Sequence, residues 1–147
     1  MKSSIFRSVA VFLLSMICIL ASAQKYDNFK VSSYIRAQDV LRMKDKDFLE
    51  KTWETVSSQV DLDKMYIETH RDSIVVDEET LKSVIKFFKS KGLEVGGGIT
   101  YTISERNDFQ TFSYARQADR EFVQYIAEYT ARFFDDFILD DFFFIDI

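Results

Sequence analysis

Proline is absent from the whole chain, glycine occurs four times, and cysteine and histidine occur once each. With no proline and so little glycine, the sequence carries no stretch that reads as a flexible linker between two domains. The one cysteine, Cys18, lies in an N-terminal leader. The rest of the chain therefore has no disulfide, no thiol nucleophile and no cysteine metal site. One histidine, His70, excludes a multi-histidine metal centre and leaves only a carboxylate-rich hard-cation site open. Neither a metal nor a cofactor is expected.

Residues 1–23 read as a secretory signal peptide: Lys2 and Arg7 supply a basic start, Ser8 to Ala21 is almost wholly apolar, and Ala21-Ser22-Ala23 offers small residues for cleavage before Gln24. The apolar run is shorter than the ~20 residues a membrane span needs, so no stable membrane anchor is expected. Ser15-Met16-Ile17 before Cys18 lacks the small residue of a lipidation site. The expected destination is the periplasm or the exterior. Cleavage after Ala23 takes away two of 19 basic residues and none of 24 acidic ones, leaving 17 against 24 and a net charge of −7. Nucleic acid and anionic membranes are poor partners for such a surface. Residues 24–147 suffice for one modest domain but not for a complete eight-unit α/β barrel of ~250 residues.

Two hydrophobic periods alternate along that domain. Val31–Arg36, Met65–His70, Leu93–Thr100 and Phe137–Phe143 are short and β-rich. Between them, apolar residues recur at helical spacing over Val40–Val60, broken near Lys44–Asp47 with Asp47 as a cap, and again over Leu81–Phe88 and Phe122–Phe133. Asp77 is placed to cap the helix that Gly92 ends. This βαβαβαβ order predicts an α/β fold with parallel strands joined by crossovers, either a closed barrel or an open doubly wound sheet. No G-x-G-x-x-G follows the first strand, which disfavours dinucleotide binding.

In parallel α/β folds, reactive groups collect at the carboxyl ends of the strands. Here those ends carry Arg36, then Glu68, His70, Arg71 and Asp72, then Gly96-Gly97-Gly98, then Asp140 and Asp141. Two-residue alternation sends Glu68 and His70 to one side, where they would share a cavity. The blander alternative pairs Glu68 with an arginine such as Arg36. Three glycines in a row weaken a strand unless a sugar ring or phosphate must approach the backbone, as at Gly97 and Gly98, or a bend is needed. One of Asp140 and Asp141 faces the cavity while the other caps or pairs. Glycoside hydrolysis needs two carboxyl groups ~5 Å or more apart, which adjacent residues on one strand seldom supply. Glu68 is a candidate helper. Phe109, Phe112 and Tyr114 are set apart from the core aromatics as a group that stacks on sugar rings.

The phrases "YIETHRD", "VGGGIT" and "ILDDFFF" behind a cleaved signal resemble the N-terminal half of secreted (β/α)8-barrel proteins of the glycoside hydrolase type, found in polysaccharide-degrading systems of Gram-negative bacteria. The resemblance implies a carbohydrate-active barrel that binds oligo- or polysaccharide. It gives Asp140 or Asp141 as the matching carboxylate, with Glu68, His70 and Arg71 lining the site. Such barrels continue for four or more further βα units, so the expectation is a half (TIM-type) barrel with little activity alone, prone to self-association through exposed strand edges. A glycan-binding module without catalysis and a small complete open-sheet domain are the alternatives.

Overall fold

The structure, a computed structural model, describes residues 28–140. The expected leader, Asp141 and the end of the expected fourth strand lie outside the described residues. In chain order the elements are β1 (Ser32–Ile35), α1 (Ala37–Arg42), α2 (Lys46–Ser57), β2 (Lys64–Arg71), β3 (Ile74–Val75), α3 (Glu78–Ser90), β4 (Glu94–Ile99), β5 (Thr102–Ser104), β6 (Gln110–Thr111), α4 (Gln117–Ala131) and β7 (Phe137–Leu139).

The helix ends follow from local chemistry. The Asp77 side chain accepts from Thr80 N at 2.9 Å and from the Thr80 hydroxyl at 2.7 Å, capping α3 as its sequence predicts. Gly92 then takes φ 85°, a left-handed turn that glycine adopts without a Cβ penalty. At α2 the cap is Asp45 rather than the expected Asp47: its carboxylate accepts from the Asp47 and Phe48 amides at 2.9 and 3.4 Å. Asp47 sits instead in the first turn, where its charge meets the positive end of the helix dipole.

β1, β2, β4 and β7 pair in parallel and in sequence order. A doubly wound sheet reverses its strand order at a switch point; among the described strands this one does not. One face of the sheet packs on the helices, burying Met65 and Ile67 against Ala37, Val40, Leu81, Val84 and Phe88. Each of these side chains larger than alanine contributes about 1.5–3 kcal/mol by leaving water. A second cluster joins Ile99, Tyr101, Phe112 and Ile126. Part of the polar stretch between β4 and α4, which has no clear sequence pattern, forms the β5–β6 hairpin.

Rings explain the glycine triplet. A Cβ on Gly96 would lie 2.7 Å from the Tyr66 ring, and one on Gly98 would lie 2.6 Å from the Tyr34 ring, both on the side of β4 away from the helices. A Cβ on Gly97 would meet Phe134 and Thr130 at 2.8 Å on the helical side. The close approach that these positions allow is made by the protein's own side chains, so the steric need for glycine is accounted for without a sugar or phosphate.

Candidate functional site

The site begins with an irregularity in β2. Glu68 pairs with Gly98 and His70 with Ile99, so Thr69 is an extra residue inserted in the ladder. Its hydroxyl donates to the Gly98 carbonyl at 3.1 Å and lies 2.6 Å from the Thr130 hydroxyl of α4. A bulge shifts the phase of alternation for everything after it. His70 therefore turns toward α4, and Arg71 turns to the face that Glu68 occupies. This corrects the expectation that Glu68 and His70 share a cavity, which assumed an unbroken two-residue period.

His70 is fully buried between Phe112 and Phe122, each ring centroid 5.8 Å away. Its Nδ1 lies 2.7 Å from the Thr100 carbonyl oxygen, which only accepts, so Nδ1 carries the proton. Nε2 has no hydrogen-bond partner. Burial pushes this imidazole below its ordinary range, an effect that the Thr100 carbonyl and the Glu68 charge offset only in part. His70 and Phe112 are thus core residues rather than sugar contacts. Phe109, at the turn of the β5–β6 hairpin, is 57% exposed.

Glu68 is fully buried and its carboxylate is surrounded by donors. Oε1 accepts from the Tyr34 hydroxyl at 2.8 Å and the Thr100 hydroxyl at 2.5 Å. Oε2 accepts from the Ala37 amide at 2.6 Å, which supplies the cap that the Arg36 side chain does not give to α1. Arg71 Nε lies 2.9 Å from both oxygens. Burial, reinforced by the Glu68 charge, pushes the Tyr34 phenol far above its ordinary range, so it remains a donor.

The remaining prongs of Arg71 reach the mouth of the site. Nη2 lies 2.7 Å from Asp140 Oδ2, just past the end of β7, and Nη1 pairs with Glu105 of the β5–β6 hairpin. Burial works against the Arg71 charge, but the hydrogen bonds and charges of Glu68 and Glu105 outweigh it and hold the guanidinium above its ordinary value. Arg36, half-exposed, pairs with the other Glu105 oxygen at 2.8 Å, not with Glu68. Thr100 lies 3.1 Å from Asp140. Exposure rises outward: the Glu68 side chain is 0% accessible, Arg71 9%, Glu105 18% and Asp140 32%.

Asp140, Glu68, Arg71 and Arg36 thus fall within one network, while His70, Gly97 and Gly98 do not join it. The sequence did not point to Glu105 or Thr100. Glu105 arrives on a hairpin whose turn holds Asp108 and Phe109 at positive φ; aspartate is enriched in that conformation but phenylalanine is not, so the pair carries no turn signature. A cavity of about 360 Å³ lies on the helical side of β1, lined by Met43, Phe48, Trp53 and Phe88 among others. It borders Tyr34 and Arg36, but Glu68, Arg71, Glu105 and Asp140 do not line it. Among the described residues, no group of three or more His, Cys, Asp or Glu side chains is placed to hold a metal ion, and no helix is long and apolar enough to cross a membrane.

A family model described as "Probable glycosyl hydrolase, catalytic domain" matches residues 20–147. An uncharacterized protein of Saccharolobus solfataricus is 29% identical over 121 residues, covering 78% of this chain. The chain spans about a fifth (20%) of that relative's length. No solved structure matches.

Proposed function

From a chain that belongs to the family of probable glycosyl hydrolase catalytic domains, we propose a larger protein: an exported carbohydrate-active enzyme built on a (β/α)8 barrel, of which β1, β2, β4 and β7 are the first four strands. Asp140 is its working carboxylate. The observation that carries the assignment is the position of Asp140, at the carboxyl end of β7, 2.7 Å from Arg71 and the most accessible carboxylate of the network. Strands in sequential order support the barrel, because each successive crossover then lays its helix on the same face. Glu68, with its oxygens already engaged, supports the site and does not react. Oligo- or polysaccharide is the substrate class, and the rest of the catalytic machinery belongs to the later units of the barrel. Export follows from residues 1–23, and a secreted protein that begins at Gln24 is the expected product.

The test is hydrolysis of aryl glycosides and a glycan panel by the full-length protein. D140N is expected to lose at least ~10³-fold in kcat, in keeping with the removal of a reacting group. Wild-type activity in D140N overturns the assignment. A second reading, a module that binds glycan without cleaving it, draws on the outer part of the same network: Glu105 and Asp140 are its accessible carboxylates, whose oxygens accept from sugar hydroxyl groups. Glycan binding without product in the full-length protein is its signature.

A further inference from the structure

We infer that Arg71 is a positioning residue, delivered to the site by the Thr69 bulge, that keeps Asp140 a carboxylate and fixes where it points. The inference rests on the assignment of Asp140 above and goes beyond it, because it specifies the form in which Asp140 works. In an unbulged strand, residues 68 and 71 face opposite sides of the sheet. The extra residue brings them together, and Glu68 then grips the guanidinium at Nε and Nη2 from below. With that end fixed, the outer prongs have settled directions: Nη1 toward Glu105 and Nη2 toward Asp140. A guanidinium is rigid and planar, so fixing one edge aims the others.

Among the described residues, charged and titratable groups face Asp140 from three elements. Arg71 and Glu68 come from β2, Tyr34 from β1 and Glu105 from the β5 hairpin, with the neutral Thr100 hydroxyl after β4. Arg71 is the cation in direct contact, and an adjacent guanidinium favours the ionised form of a carboxyl group. Asp140 therefore serves as nucleophile or base, and the proton that a departing sugar oxygen requires comes from a different group. Arg71, already engaged by three carboxylates, is not a ligand for substrate.

The experiment compares the full-length wild type with R71M and R71K. R71K keeps the charge but cannot reach three carboxylates, and it gives a second readout if R71M does not fold. Carbon-13 carboxyl titration, with D140N to assign the signal, is expected to show Asp140 titrating about one pH unit or more higher in R71M and shifted in the same direction in R71K. On an aryl glycoside, both variants are expected to lose at least tenfold in kcat with KM changed less than threefold, and the acid limb of the pH profile moves up with the titration. An unchanged Asp140 titration in both variants overturns the inference. So does a tenfold rise in KM at constant kcat, which makes Arg71 a substrate contact. Full activity in D140N, by contrast, removes the assignment of Asp140 while the titration still decides whether Arg71 governs its charge.

Discussion

Arg71 lies three residues after Glu68 on the same strand, yet its Nε sits 2.9 Å from both oxygens of the Glu68 carboxylate. Odd spacing and a shared face are compatible only because Thr69 adds a residue to the ladder. The pair is almost wholly withdrawn from water, and removing one member leaves the other without its counter-charge. Glu68→Gln is accordingly expected to cost about 3–5 kcal/mol in stability, read from urea denaturation at neutral pH. A loss below ~1 kcal/mol, the scale of a solvated ion pair, contradicts the buried arrangement.

Gly98→Ala places a methyl group 2.6 Å from ring carbons of Tyr34. The ring must move, and its hydroxyl then leaves Glu68. The expected cost is about 1–3 kcal/mol. Tyr34→Phe gives no relief because the ring carbons still collide, whereas Tyr34→Ala in the same chain is expected to make the added methyl nearly neutral. A thermal-melt double-mutant cycle checks this, and additive losses in the Gly98→Ala, Tyr34→Ala pair count against ring packing as the reason for glycine.

Acid sensitivity is expected from His70. In the folded protein burial lowers its affinity for a proton, while the unfolded chain takes up that proton as pH falls through the ordinary histidine value of ~6.5. The unfolded state thus binds more protons, so the contribution is complete above that value and is lost as pH drops below it. Urea midpoints between pH 5 and 8 are expected to fall toward pH 5 in the wild type. In His70→Phe, which suits the pocket between Phe112 and Phe122, that part of the slope is expected to vanish. An unchanged slope assigns the acid sensitivity to other groups.

The helices and parallel strands are legible in the sequence because they rest on local periods and caps: Asp77 and Gly92 bound α3, and apolar runs mark the strands. The site is less so. Glu68, Arg71 and Asp140 could be named as polar residues at strand ends, but which of them meet depends on Thr69, whose bulge is set by the partner strand and by Thr130 on α4. Asp72-Ser73 forms the tight turn between β2 and β3 with both residues at positive φ, without the Asn-Gly or Asp-Gly pair that announces such turns. Glu105, on the second hairpin, was hidden for a related reason.

The Glu68 carboxylate gathers donors from β1, from the start of α1, from β2 itself and from just past the end of β4. Three of these donors lie 31–34 residues from Glu68 in the chain, and they meet it in only one strand alignment. A sheet assembled one residue out of step would enclose the charge among apolar neighbours, at a cost of several kcal/mol. The group at the base of the site therefore acts as a proofreader during folding: it penalises the misaligned sheets that greasy strands such as these would otherwise tolerate.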